Sequence, residues 1–177
     1  MTSTIIRGVN HIGITVPDIE AAKTFLIAAF GGEVIYQSFG PQDPPRQGPG
    51  FEQAVGAFPG TVVRAQAMVK LGTGPDIELF EMHGPQQAQA IRASDFGITH
   101  FGVYTDDIDT AVARFEKAGG TALTKPRAIP YETEKGVGNK VCYCRMPWGT
   151  TIEFITLPDQ MGYRDQTDLR RWQDDDG

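Results

Sequence analysis

Hydrophobic and polar residues follow a strand period and then a helical period at the start of this chain. Residues 9–16 form a short, apolar-rich and partly β-branched run, which predicts a strand. Apolar side chains then recur at helical spacing, at Ile19, Ala22, Leu26 and Phe30. Asp18 precedes them as a favoured N-cap, and two glycines follow them as a stop signal. The pattern predicts one helix, followed by a second strand over 33–38.

The remainder of the chain repeats this order after an irregular stretch. Residues 40–60 are rich in proline and glycine, which predicts a long loop. Strands are predicted over 61–71 and 76–82. The second half then predicts a strand over 98–104, a helix capped by Asp106 or Asp107, and further strands over 121–125, 140–145 and 150–157.

Two segments read as copies of each other, and each carries a histidine at the same place. The identical pairs, at a constant offset, are Gly8 and Gly97, His11 and His100, Gly13 and Gly102, Asp18 and Asp107, and Ile19 and Ile108. Each copy also ends in a strand with a central glutamate, Glu78 in the first and Glu153 in the second. Core packing alone does not explain this repeat, which predicts two modules that place two imidazoles and two carboxylates around one point.

These elements predict an α+β fold built from paired βαβββ modules, whose strands form a curved eight-stranded sheet cup. The first module spans 1–84 and includes the loop at 40–60, and an inter-module connection covers 85–96. The second module spans 97–158, and a polar C-terminal tail covers 159–177. Within the tail, Trp172 is a candidate to dock on the body or on a partner chain, and the acidic end is expected to fray.

Composition narrows the function classes. The 177 residues carry a net charge of −6 and no basic stripe, which argues against nucleic-acid binding. No apolar run is long enough to cross a bilayer, so no membrane partner is expected. The N-terminus lacks the features of a signal peptide, which makes the cytoplasm the expected location. Cys142 and Cys144 are expected as reduced structural thiols, because a disulfide between such close neighbours is strained.

The histidine and glutamate segments resemble the vicinal oxygen chelate superfamily over about residues 7–157. The resemblance lies in the starts Asn10-His11-Ile12-Gly13-Ile14 and Thr99-His100-Phe101-Gly102-Val103, and in the strand ends around Glu78 and Glu153. It implies a metal set of His11, Glu78, His100 and Glu153, closest in pattern to glyoxalase I and methylmalonyl-CoA epimerase. It also implies a homodimer.

Such a donor set suits one divalent ion, namely Zn, Ni, Co, Mn or Fe(II). The metal would act as a Lewis acid on a small substrate with adjacent oxygen donors, while a base removes a proton α to the carbonyl. Resemblance to glyoxalase I favours Glu153 as that base. Glu78 would serve as a ligand or as a second acid/base. The predicted activity is therefore a metal-dependent lyase or isomerase of the glyoxalase type.

Other residues and functions stay open at the level of sequence. Phe101, Tyr143, Trp148 and Arg145 are candidate substrate contacts. An Fe(II) extradiol-type dioxygenase is the first alternative, although such enzymes typically use two histidines and only one glutamate. A small-molecule-binding protein of the resistance type is the second. No glutathione-binding segment is recognisable in 40–60, so a substrate without glutathione is expected at least as much as a glutathione conjugate.

Overall fold

A computed structural model of the protein describes residues 5–172. The chain divides into two compact units, Met1–Ala88 and Gln89–Gly177. Each unit contains a mixed five-stranded sheet with one long helix packed against it. The α+β class and the repeated βαβββ order are confirmed, and each sheet carries one additional two-residue strand. No helix among the described residues is long and apolar enough to span a membrane.

The described part of the first unit, residues 5–88, holds seven elements in chain order. These are β1 (His11–Val16), α1 (Ile19–Phe30), β2 (Glu33–Phe39), β3 (Arg46–Gln47), α2 (Pro49–Val55), β4 (Val62–Lys70) and β5 (Asp76–His83). The sheet order is β1-β5-β4-β2, and β3 pairs with β4. β1 and β5 are parallel, whereas the other pairs are antiparallel. The first and last strands of the unit are therefore neighbours.

Helix α1 is fixed at its start by two carboxylates. The Asp18 side chain accepts a hydrogen bond of 2.9 Å from the Ala21 amide, and Glu81 accepts one of 3.0 Å from the Ile19 amide. Both bonds satisfy amides that have no partner within a helix. Gly31 ends the helix in the left-handed conformation, with φ 73°. The predicted helix and its cap are confirmed.

The prediction of an irregular loop over 40–60 is wrong in part. The stretch contains strand β3, which pairs with β4, and the seven-residue helix α2. Pro49 starts this helix, because the first turn does not need a proline amide. Gly56 ends it with φ 69°. Pro49 and Gly56, which suggest irregular structure in the sequence, are the first residue and the C-cap of a short helix.

The second unit repeats the arrangement. Its elements are β6 (Phe101–Tyr104), α3 (Ile108–Lys117), β7 (Thr121–Ala122), β8 (Arg127–Ala128), β9 (Lys140–Arg145), β10 (Thr151–Thr156) and a 3₁₀ helix (Gly162–Asp165). The sheet order is β6-β10-β9-β7, and β8 pairs with β9. The first strand and the last, β6 and β10, are again parallel neighbours.

Helix α3 covers one face of this second sheet. Asp107, and not Asp106, is its N-cap, and its side chain accepts a hydrogen bond of 3.0 Å from the Thr110 amide. Phe115 packs edge-to-face on Phe154 of β10, with ring centroids 5.5 Å apart. The free thiols of Cys142 and Cys144 are buried, and their sulfurs lie 3.7 Å apart. We call the side of each sheet that lies opposite its long helix, α1 or α3, the open face.

Part of the C-terminal tail is ordered against the second unit. Met161 is buried in an apolar cluster with Ile129, Val141, Ile155 and Leu157. The ring of Trp172 lies edge-to-face with that of Tyr104, at 6.4 Å between centroids. Trp172 therefore docks on its own unit. The acidic end that was expected to fray lies outside the described residues.

Candidate active site

His11 and Glu78 meet on the open face of the first sheet. Side chains alternate along β1, so Ile14 and Val16 are buried on the α1 side while His11 and Gly13 lie on the open face. The parallel register places Gly13 beside Glu78. His11 Nε2 and Glu78 Oε2 are 3.2 Å apart; the His11 side chain is 40% exposed and the Glu78 side chain 20%.

Each member of this pair has a second partner that orients it. Asn10 Oδ1 lies 2.9 Å from His11 Nδ1, and an amide oxygen can only accept, so Nδ1 carries the hydrogen. Gln66 Nε2 donates to Glu78 Oε1 at 2.7 Å. The Nε2 lone pair of a neutral imidazole therefore faces a carboxylate oxygen. That contact is repulsive unless a proton or a cation lies between the two atoms.

The second sheet holds the matching pair, His100 and Glu153. Glu153 lies beside Gly102 in the parallel register, and His100 Nε2 is 3.6 Å from Glu153 Oε2. A hydrogen bond of 3.0 Å joins His100 Nδ1 to the hydroxyl of Thr99. In both units, then, the residue before the histidine binds Nδ1 and leaves Nε2 directed at the glutamate.

Tyr143 is the second partner of Glu153. It lies directly across from Glu153 in the antiparallel register of β9 and β10, so the two side chains are neighbours on the open face. Burial, followed by interaction with the Glu153 carboxylate, raises the pKa of Tyr143 to about 12. Its ring is also edge-to-face with His100, at 5.1 Å. Tyr143 therefore stays neutral near neutral pH, beside the Glu153 carboxylate.

Glycine occupies the position beside each glutamate. A Cβ atom at Gly13 or at Gly102 would meet no other atom within 4 Å, and neither residue has a positive φ. Backbone conformation and packing in these units therefore do not require glycine there. Its effect is to leave the space beside Glu78 and Glu153 open.

Comparison with known proteins identifies the family. Residues 10–143 match the model of the glyoxalase/bleomycin resistance protein/dioxygenase superfamily. The chain belongs to this superfamily. The predicted resemblance is therefore confirmed at the level of the family.

Individual members of the superfamily show the same relationship. The chain is 31% identical over 168 residues to a 2-epi-5-epi-valiolone epimerase from Actinomyces sp, covering 93% of this chain and 87% of that protein. A glyoxalase family protein from Bacillus cereus superposes with a TM-score of 0.64 at 19% identity, covering 88% of this chain and 97% of that one. Glyoxalase I from Zea mays gives 0.56 at 18% identity, with coverages of 86% and 45%. The two structures establish the fold alone.

The donor atoms of each pair fit a divalent metal. Ligand nitrogen and oxygen atoms at about 2.1 Å from a metal lie about 3.0 to 3.5 Å from each other. The 3.2 and 3.6 Å separations of the two pairs are close to that range. Among residues 5–172, no group of three or more His, Cys, Asp or Glu side chains is placed to hold a metal ion. The four-ligand set and its convergence on one point stay predictions of the superfamily pattern.

The other residues predicted from sequence fall in different places. Arg145 shares the open face with Glu153, because it is two residues from Tyr143 on β9. Phe101 does not lie beside Glu153; its register partner is Ile152, on the face covered by α3. Trp148 is partly buried in the turn between β9 and β10. Phe101 is therefore the poorest of the four candidate substrate contacts.

Three residues of the site were missed by sequence reasoning. Asn10 and Thr99 carry a signal that was available, since a hydrogen-bonding residue precedes the histidine in both repeats. Gln66 is polar yet only 8% exposed within the apolar strand β4. A buried polar side chain needs a partner, which is a general reason to suspect such a residue.

Proposed function

We propose that this protein is a metal-dependent epimerase that inverts a carbon next to the carbonyl of a small hydroxylated ketone. The observation that carries the proposal is the histidine–glutamate pair at the same register position in each unit. The named relative, at 31% identity, supports an isomerase over a lyase. The suffix -one in the name of that relative's substrate denotes a ketone. We therefore choose 2-epi-5-epi-valiolone as the first substrate to test.

Two carboxylates suit the chemistry of epimerisation. A proton must leave from one face of the carbon and return to the other, which two acid/base groups accomplish when each addresses one face. Glu153 is proposed as the base that removes the proton, and Glu78 as the group that returns one. Gln66 fixes the orientation of Glu78 by a hydrogen bond, and Tyr143 lies beside Glu153.

A divalent metal is proposed at His11, Glu78, His100 and Glu153. When bound, it supplies Lewis-acid stabilisation of the negative charge that develops on the carbonyl oxygen. The residues around it then have separate tasks. Asn10 and Thr99 orient the imidazoles, in the manner of the outer partners that usually fix metal-binding histidines.

Substrate contacts are proposed at Arg145, Tyr143 and Trp148. Arg145 has five N–H donors on the open face that carries Glu153, which suits the hydroxyl groups of a polar substrate. Arg145→Leu is expected to raise KM about tenfold by removing such charge-assisted hydrogen bonds. A homodimer is also proposed, from the superfamily pattern, and native mass measurement tests it.

The decisive experiment is deuterium exchange at the substrate carbon. Metal content is first measured on protein purified without added metal or chelator. The metal-loaded protein is then incubated in D₂O with 2-epi-5-epi-valiolone, and nuclear magnetic resonance follows both exchange and the appearance of the epimer. We expect exchange and inversion together, whereas no exchange by metal-loaded protein overturns the proposal.

Variants of the two glutamates test their separate tasks. Glu153→Gln and Glu78→Gln are each expected to reduce net inversion by about 10² to 10⁴-fold. Each should still catalyse exchange on one of the two epimers, because the other carboxylate remains. Glu132→Gln is the matched control, since the Glu132 side chain is 82% exposed.

Oxygen uptake with catechols by an iron-loaded protein would instead support the dioxygenase, and tight ligand binding without turnover would support the binding protein.

A further inference from the structure

The segment after β10 covers part of the open face of the second sheet. We call residues 157–172 the C-terminal strap. Its residue Met161 is 1% exposed and packs on Val141 and Ile155, which lie on the open face. Ile155 is two residues from Glu153 on β10, so both face the same side. The strap therefore lies next to the candidate site within this unit.

Buried polar contacts fix the start of the strap. Asn139 is fully buried, and its side chain bonds both the amide and the carbonyl of Asp159, at 2.9 and 3.3 Å. Further along, a Cβ atom at Gly162 would lie 2.7 Å from the backbone oxygen of Glu132. Such a close approach of two backbones leaves little room for the strap to shift.

The end of the strap is held by a second set of bonds. The Tyr163 amide donates to the Thr133 carbonyl at 2.9 Å, and the Tyr163 hydroxyl accepts from the Arg171 amide at 3.0 Å. The Arg171 side chain forms an ion pair with Glu134. These contacts bring the next residue, Trp172, to a defined place.

That place is beside the candidate site. The Trp172 ring lies edge-to-face with Tyr104, at 6.4 Å between centroids. Tyr104 is two residues from Gly102 on β6, so it shares the open face with Gly102 and Glu153. Trp172 nevertheless keeps 57% of its surface exposed. A large apolar surface thus remains available at the edge of the space beside Glu153.

We propose that Trp172 is a specificity-determining residue, which forms with Tyr104 an aromatic wall for the ring of a cyclic hydroxy ketone. The inference rests on the proposed function, and it adds the substrate class. A ring with hydroxyl groups has apolar C–H faces, which pack against an aromatic side chain while the hydroxyls keep polar partners. An open-chain ketone presents no such face. The wall therefore favours cyclic substrates.

The test separates binding from turnover in metal-loaded protein. Titration calorimetry measures binding of 2-epi-5-epi-valiolone, and deuterium exchange measures kcat and KM. The variants are Trp172→Ala, Trp172→Phe and, as a control on the same strap, Leu169→Ala, whose side chain is 78% exposed. Dihydroxyacetone serves as the open-chain ketone.

We expect Trp172→Ala to raise Kd and KM for the cyclic ketone about tenfold, with kcat and metal content nearly unchanged. Trp172→Phe should restore most of the affinity, and Leu169→Ala should behave as the wild type. Exchange with dihydroxyacetone should not change. Unchanged Kd and KM in Trp172→Ala, in a wild-type protein that binds and turns over the ketone, overturn the wall alone. A wild-type protein that binds the ketone without exchange overturns the proposed function but leaves the Kd comparison decisive for the wall, and one that does neither overturns both.

Discussion

The side-chain amide of Gln66 donates a hydrogen bond to the Glu78 carboxylate, with 2.7 Å between Nε2 and Oε1. The other carboxylate oxygen, Oε2, faces His11 Nε2. In the second unit the corresponding glutamate lies across from a phenol, because Tyr143 takes the register position that Met68 has in the first unit. The two carboxylates of the repeat therefore have different neighbours, although their histidines are arranged alike.

The first prediction concerns this amide. Gln66→Leu removes the hydrogen bond that fixes Glu78 but keeps the volume of the side chain similar. We expect metal affinity or inversion rate to fall about 10- to 100-fold, as is typical for loss of an outer partner of a metal ligand. Elemental analysis after dialysis and the deuterium exchange rate measure the two effects. Gln53→Leu on the surface of α2 should change neither, and equal behaviour of the two variants would show that the amide has no such role.

The second prediction concerns the repeated glycine. Gly102→Ala and Gly102→Val place side chains in the open space beside Glu153. We expect a graded loss of inversion rate, about tenfold or more for valine, while the alanine variant unfolds at the same denaturant concentration as the wild type or higher. Chemical denaturation and exchange kinetics together check this. Gly50→Ala in α2 also enters open space and should leave activity intact; a fully active Gly102→Val protein would contradict the placement of the site.

The third prediction concerns the anchor of the C-terminal strap. Asn139→Ala leaves the Asp159 amide and the Glu134 carbonyl without their buried partner. We expect the free energy of unfolding to fall by about 3 kcal/mol, because buried polar groups without partners cost about 1–3 kcal/mol each. Thr167→Ala, at an exposed site on the strap, should change it by less than about 0.5 kcal/mol. Similar denaturation midpoints for both variants would rule out this role for Asn139.

The fourth prediction follows from the buried thiols. Burial raises the pKa of Cys144 above the ordinary thiol value of 9.0, so the folded state keeps the proton. The unfolded chain loses that proton above about pH 9, and the free energy of unfolding should therefore fall as the pH rises further, by up to about 1.4 kcal/mol per pH unit. Its full contribution is present below that pH.

Denaturation curves at several pH values measure this slope. Cys144→Ala should give a shallower decline than the wild type between about pH 9 and pH 11. Val141→Ala, at a buried residue that does not titrate, serves as the control and should lower stability without changing the slope. Parallel curves for the wild type and Cys144→Ala would exclude the buried thiol as the cause.

Local signals explain which parts of the fold were predictable. Asp18 and Asp107 indicate the starts of their helices in the sequence, because an N-cap side chain accepts a hydrogen bond from an amide only a few residues away. Helix α2 escaped prediction because Pro49 and Gly56, taken alone, suggest a loop. The contact of Trp172 with Tyr104 joins distant parts of the chain, and no local pattern contains that information.

The same distinction applies to the site. Comparison of the two copies of the repeat identifies His11 and Glu78 as candidate site residues, and this comparison does not need the distance between them. Gln66 could not be assigned to Glu78 from spacing, since β4 and β5 pair with a register shift between Val63 and Ala65. Such an irregularity changes which side chains are neighbours. The face occupied by Phe101 likewise depends on where β6 begins.

The parallel pairing of β1 with β5, and of β6 with β10, has a mechanical consequence. β1 and β6 are the edge strands of their sheets, and each is joined to the rest of its sheet by one neighbour. A cation held by His11 and Glu78, or by His100 and Glu153, would link that edge strand to its neighbouring strand. Removal of the metal by a chelator would then loosen β1 and β6 before the other strands. The amides of β1 and β6 would exchange hydrogen faster than those of β4 and β9.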